Sequence, residues 1–216
     1  MTNSGRIAGV STLSHLGGAG VRVAILACLT FGVAAAPIEN AFGRVAQEEA
    51  DNRDGGGNHD PYAEFLVKYV DWAKSIEAEG QQRGTPLNPE QLELATRIGI
   101  QQPEKVRLVF VDEIPFPTHD ADMRQVGESL GFIGSGVTNN AQAFGYTVWV
   151  RKGFVLDRPR LAHELVHVAQ IERSASFGAY ARAYIDQLKK FGHADMPLER
   201  EAYQANREYA CKGNQG

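Results

Sequence analysis

The residues best suited to chemistry lie in one short apolar stretch, residues 161–170, with the sequence LAHELVHVAQ. It contains His163, Glu164 and His167. Side chains four residues apart lie one above the other on the same face of a helix, so both imidazoles can reach a single metal ion. The Glu164 carboxylate then points into the same cavity. The motif therefore predicts one bound zinc ion.

Two histidines alone leave such a site incomplete. Zinc takes a third protein ligand, and a catalytic zinc keeps its fourth position open for water. The candidates for the third ligand are Glu199 and Glu201, in the segment MPLEREAYQANREYA at 196–210. Residues two apart on a helix point about 200° from each other, so only one of the two glutamates can face the metal.

The residues of the motif fit a buried helix. From residue 163 to residue 170 there is no proline, and Glu164 is the only acidic residue. Asp157 is placed to cap the helix, and Pro159 falls in its first turn, where proline is tolerated. A competing interpretation is a core helix without a metal. It requires other partners for a buried glutamate beside two buried histidines, which is otherwise costly.

Further elements must position this helix. Apolar residues recur every three or four positions in four other segments, which predicts helices at 61–80, 89–98, 176–192 and from 197 onward, with Asn88 capping the second. Residues 106–111 and 145–151 predict two strands, because they are rich in branched and aromatic side chains. Between the strands, His119, Asp120 and Asp122 are interpreted as a polar surface turn rather than as metal ligands.

The second strand immediately precedes the motif helix. Alternation gives it one face with Tyr146, Val148 and Val150, and another face with Thr147, Trp149 and Arg151. The first face can pack inward while the second lines a cleft. The competing interpretation is that Trp149 belongs to the core.

Composition and length indicate one globular domain with a substantial core, since the 216 residues are 43% hydrophobic and 22% charged. The formal charge of −4 gives no indication of nucleic-acid binding. The two cysteines, Cys28 and Cys211, lack zinc-finger spacing. We place the domain at residues 61–211.

The N-terminal segment has Arg6 and Arg22, no acidic residue before Glu39, and an apolar run at 23–35. This pattern predicts a secretory signal peptide at 1–35, so the mature chain would be periplasmic or secreted, with no membrane span. Its loss removes two positive charges and no negative ones, so −4 becomes −6. The alternative is a retained membrane anchor. Residues 36–60 are polar and predict a flexible leader, long enough to serve as a pro-segment.

Residues 105–210 resemble the gluzincin metallopeptidases, and in particular a group of small, mostly uncharacterised bacterial proteins of minimal gluzincin type. In gluzincins HExxH supplies two histidines, and a glutamate on a later helix supplies the third ligand. In one branch, of the prenyl-protein endopeptidase type, that glutamate opens an E-x-x-A-D pattern. Residues 199–203, EREAY, match it through Ala202, which favours Glu199 as the ligand. Tyr203 replaces the expected aspartate and puts an orienting contact to a histidine in doubt.

The resemblance implies hydrolysis of a peptide bond in a peptide or protein substrate. Zinc held by His163, His167 and Glu199 would activate a water, and Glu164 would act as general base. Tyr146, Tyr203 and His193 are all candidates for stabilising the oxyanion. The implied fold is α+β and zincin-like, mostly helical, with a small sheet whose edge strand precedes the HELVH helix. An exposed edge strand could pair with an extended substrate.

Three other functions fit the residues less well. A non-catalytic secreted protein could retain the same zinc ligands. A deformylase also uses HExxH, but it takes an upstream cysteine as third ligand, and the only upstream cysteine is Cys28 in the predicted signal peptide. A helical scaffold with a chance motif would bind no metal.

Overall fold

The computed structural model describes residues 61–210, in which a small sheet packs among six α-helices. The helices are α1 Pro61–Arg83, α2 Pro89–Ile98, α3 Ala121–Ser129, α4 Arg158–Arg173, α5 Phe177–Phe191 and α6 Pro197–Ala210. The strands are β1 Thr85–Pro86, β2 Arg107–Val111, β3 Ala141–Phe144 and β4 Thr147–Arg151, and a 3-10 turn spans Pro103–Lys105. The predicted α+β class is confirmed. The predicted signal peptide and leader, and Cys211, lie outside the described residues.

The sheet has the strand order β1-β2-β4-β3. β2 runs parallel to β4, and the other two pairs are antiparallel. β4, the strand before the motif helix, therefore lies between two neighbours, and the prediction that it is the edge strand is wrong. Within residues 61–210 the outer strand on that side is β3, which is absent from the predicted elements.

β3 and β4 are joined by a two-residue connection that depends on Gly145. Its φ of 57° lies in the left-handed region, which glycine adopts without steric cost. A Cβ at this position would overlap the Glu77 carboxylate of α1. The same carboxylate accepts the backbone N–H of Tyr146 at 2.9 Å. The hairpin that turns the chain into β4 is thus anchored to α1.

β4 is buried on both faces. Thr147, Val148 and Val150 have no exposed surface, and Trp149 is 2% exposed. The Trp149 indole N–H donates to the Thr147 hydroxyl at 3.1 Å. The interpretation of Trp149 as a core residue is confirmed, and Thr147 and Trp149 do not line an open cleft. Strands paired on both sides and covered on both faces carry such continuous apolar runs rather than alternation.

Local signals predicted most helix boundaries. Asn88 caps α2 through a reciprocal pair of bonds with Gln91, and Asp157 caps α4 with proline in the first turn. α5 ends at Phe191, and Gly192, the predicted end of the helix, is its C-cap. The 119–122 turn contains a helix start that was not predicted. There the Asp120 carboxylate accepts two backbone N–H groups of α3.

The motif helix α4 lies at the centre of the fold. All residues from Leu161 to Ile171 are buried, because α4 contacts α6 most extensively and also packs against α2, α5, β3 and β4. No helix in the described part of the chain has the length and apolar character needed to cross a membrane.

Candidate metal centre

Three buried side chains converge between α4 and α6. One ligand atom from each of His163, His167 and Glu199 lies within 4.8 Å of the other two. His163 Nε2 is 3.5 Å from Glu199 Oε2, and His167 Nε2 is 3.6 Å from Glu199 Oε1. Ligand atoms bound tetrahedrally to zinc at its usual bond lengths are about 3.3 Å apart. The two separations between a histidine nitrogen and a Glu199 oxygen are thus close to those between ligands of a zinc ion.

The polar atoms of this cluster are buried without partners. His163 Nε2, His167 Nε2, Glu199 Oε2 and both carboxylate oxygens of Glu164 have no hydrogen-bond partner among the described residues. The four residues have no exposed surface. Leaving one such group unsatisfied costs about 1–3 kcal/mol. A cation coordinated by the histidines and Glu199 would remove most of this cost, so the residues present fit a divalent metal.

The electrostatics of the cluster suit a metal ligand set. Burial lowers the pKa of His167 to about 4, although the nearby Glu199 acts in the opposite direction. The imidazole is therefore neutral at pH 7 and has a lone pair to donate. Burial acts to raise the pKa of Glu199, but His167, His163 and His193 together hold it below its ordinary value. Glu199 is a carboxylate, the form that binds metal.

Glu164 differs from Glu199 in its surroundings. Burial, and then the negative charge of Glu199, raise the pKa of Glu164 well above its ordinary value. The set of mutually close ligand atoms comprises His163, His167 and Glu199, and Glu164 is not a member. The structure therefore places Glu164 outside the group that could hold a metal ion.

Side chains behind the cluster contact Glu199 and His167. The Tyr184 hydroxyl on α5 donates to Glu199 Oε1 at 3.0 Å. His167 Nδ1 lies 2.8 Å from Gln170 Oε1 and 3.2 Å from the Tyr180 hydroxyl. Neither tyrosine nor Gln170 was predicted. Gln170 follows His167 by three residues on the same helix, so its spacing could have identified it, whereas the tyrosines carry no local signal.

The first histidine has a different environment. His163 Nδ1 has no hydrogen-bond partner among the described residues. The Tyr203 ring lies edge-on to the His163 ring, with centroids 4.7 Å apart. Tyr203 occupies the position of the aspartate in the pattern discussed above. At this position the chain therefore has an aromatic contact to His163, where the resemblance would imply a carboxylate acceptor.

Of the other predicted residues, Glu201 and Tyr146 have partners outside the cluster, whereas His193 lies next to Glu199. Glu201 does not join the cluster; its carboxylate accepts from Gln170 and Arg173 instead. The Tyr146 hydroxyl donates to Glu172 at 2.6 Å and is engaged there. His193 lies on the turn before α6 with Nε2 3.6 Å from Glu199 Oε1, and its side chain is 18% exposed.

No protein-family model, no curated protein and no solved structure matches this chain, so the gluzincin resemblance stays a prediction from its motifs.

Proposed function

We propose that this chain is a zinc-dependent peptidase, with His163, His167 and Glu199 as zinc ligands and Glu164 as general base. The observation that carries the proposal is the buried cluster of unpartnered ligand atoms, spaced as they would be around zinc. A structural cluster of this composition without a metal would leave several polar atoms unsatisfied. The HExxH spacing and the extra carboxylate of Glu164 favour hydrolysis as its use.

Each group at the site would have a separate role in the reaction. Bound zinc would supply an activated water and polarise the scissile carbonyl. A divalent cation beside Glu164 would favour its carboxylate form, and as a carboxylate Glu164 would act as general base toward the attacking water and then as acid toward the leaving amine. Tyr184 holds Glu199 in place through its hydroxyl. His193 and Tyr203 adjoin the cluster and are the candidates for contacting the substrate oxygen.

The outer strand β3 is the proposed partner of an extended substrate. It packs against α4, and no described strand pairs with its other side. Outer strands offer backbone N–H and C=O groups for pairing with a peptide. All four residues of β3 are buried, as are the ligands and Glu164. Substrate binding therefore requires local opening, and even His193, beside Glu199, is only 18% exposed.

Cleavage of a fluorescent casein or a peptide library by the zinc-loaded chain tests this proposal. Glu164→Gln should keep one zinc per chain and lose activity by at least about 100-fold, because general-base catalysis contributes about 10²–10⁴. Glu208→Gln is the matched control, since Glu208 is exposed on α6. Equal activity of wild type and Glu164→Gln would exclude this mechanism.

A non-catalytic zinc protein is the second candidate, and the complete burial of the site favours it. Structural zinc is enclosed by protein, whereas catalytic zinc keeps a position open to water and substrate. This function predicts that zinc binds stoichiometrically, that no peptide is cleaved, and that Glu164→Gln has no effect beyond stability. Zinc removal would then unfold the domain.

A further inference from the structure

The buried amide of Gln170 links the two helices that carry the proposed ligands. Its Oε1 lies 2.8 Å from His167 Nδ1. Its Nε2 donates to the backbone carbonyl of Leu198 at 2.9 Å and to Glu201 Oε2 at 3.0 Å. The residue is 1% exposed. Both amide hydrogens and the amide oxygen therefore have partners inside the protein.

These partners determine which way the amide faces. Leu198 O and the Glu201 carboxylate can only accept hydrogen bonds, so the NH₂ group must point to them. The oxygen then faces His167 Nδ1, and that nitrogen must carry the proton, which the Tyr180 hydroxyl oxygen 3.2 Å away can also accept. The proton at Nδ1 leaves the lone pair on Nε2. Nε2 is the atom that faces Glu199.

The same amide controls the position of Glu199. Leu198 directly precedes Glu199, and Glu201 follows it by two residues. Gln170 thus contacts the chain on both sides of the third ligand. Arg173, one turn along α4, also donates to Glu201 and keeps its carboxylate facing α4. One side chain therefore orients one ligand and locates another.

His163 has no equivalent support, because its Nδ1 lacks an acceptor in residues 61–210. Of the two histidines, only His167 therefore has a hydrogen-bond acceptor at Nδ1 among the described residues. Acceptors behind metal-bound histidines typically contribute about 10–100-fold to metal affinity.

We infer that Gln170 is a positioning residue of the metal centre, which holds His167 as the Nε2 ligand tautomer and holds the start of α6 so that Glu199 completes the site. This inference rests on the proposed zinc function. It assigns Glu201 a role distinct from metal binding: Glu201 anchors the amide of Gln170.

The zinc affinity of Gln170→Leu, measured by competition with a chromophoric chelator, tests the inference. Gln142→Leu is the matched control, because Gln142 is also a buried amide, 2% exposed, and its hydrogen bonds go to Tyr69 and Asn139 rather than to a residue of the cluster. We expect Gln170→Leu to weaken zinc binding about 10–100-fold and Gln142→Leu to leave it within about twofold. The visible spectrum of the Co²⁺-substituted protein should change only in Gln170→Leu.

If Gln170→Leu fails to fold, a pair of compensating substitutions provides a second test of the inference. Gln170→Glu places a carboxylate oxygen against Leu198 O and Glu201, whereas adding Glu201→Gln restores a donor between positions 170 and 201. The double variant should bind zinc about tenfold more tightly than Gln170→Glu alone.

Different results would overturn the role of Gln170 and the proposed zinc function. Stoichiometric zinc in the wild type, with equal affinity in Gln170→Leu or no recovery in the double variant, overturns the role of Gln170 alone. A wild type that binds no zinc overturns both this role and the proposed function.

Discussion

Zinc should stabilise the folded chain, and Glu199 should be required for that effect. The size of the stabilisation follows from the buried polar atoms that zinc would coordinate. Among the unpartnered atoms, His163 Nε2, His167 Nε2 and Glu199 Oε2 would become ligands. At the lower end, relieving each of these buried atoms contributes about 1 kcal/mol, which gives about 3 kcal/mol in total. For a domain of this size that corresponds to a rise in Tm of about 6–12 °C.

The assay compares Tm with excess chelator and with excess zinc, by differential scanning fluorimetry. Glu199→Ala also removes the acceptor of the Tyr184 hydroxyl, so its Tm without zinc should fall. The informative quantity is therefore the shift that zinc produces in each variant. That shift should fall to less than half of the wild-type value in Glu199→Ala and stay unchanged in Glu208→Ala, which alters an exposed glutamate of the same helix.

Two results would refute this reasoning. A wild-type Tm that zinc does not raise would mean that the cluster takes no metal. An equal zinc shift in wild type and Glu199→Ala would mean that the metal binds without the third ligand.

Three further predictions concern single contacts. Tyr184→Phe removes the hydroxyl that donates to Glu199 and should weaken zinc binding by about tenfold or more in a chelator competition; unchanged affinity would contradict it. Gly145→Ala should lower the free energy of unfolding by about 1–3 kcal/mol in urea titrations, because alanine is strained at this φ and meets Glu77. Asn88→Ala should cost about 1 kcal/mol in the same titrations through loss of its cap, and a neutral result would show that α2 does not depend on it.

The parts of the fold that were predicted correctly depend on local chemistry. Asp157 with Pro159, and Asn88 three residues before Gln91, satisfy helix ends from within the same segment. The spacing of His163 and His167 likewise needs nothing beyond a helix to bring the two rings together. These features are determined by residues within about one helical turn of each other.

The parts that were missed depend on distant contacts. Residues 141–144, AQAF, show no alternation because every one of them is buried, and they form β3 only by pairing with β4. The central place of β4 follows from its parallel pairing with β2, which lies 36 or more residues earlier. Periodicity in one segment does not reveal which strand will be its neighbour.

The choice between Glu199 and Glu201 as the third ligand could be predicted from the sequence only in part. Spacing alone shows that only one can face the histidines. The buried face of α6 comprises Glu199, Ala202, Ala205 and Tyr209, at intervals of three and four residues. Glu199 is in phase with the small and aromatic residues of that face and Glu201 is not, so the periodicity of α6 contains the answer. The hydrogen bond that Tyr184 donates to Glu199 comes from another helix, and no local pattern in the sequence predicts it.

The complete burial of the cluster has a consequence for how a metal would leave it. A chelator cannot contact an ion whose protein ligands have no exposed surface. Release would then proceed through transient opening of the protein, in the manner of hydrogen exchange from a protected amide. With rising chelator concentration the rate of metal loss should reach a plateau, and the plateau equals the opening rate. That rate also sets the upper limit on how fast any substrate could enter.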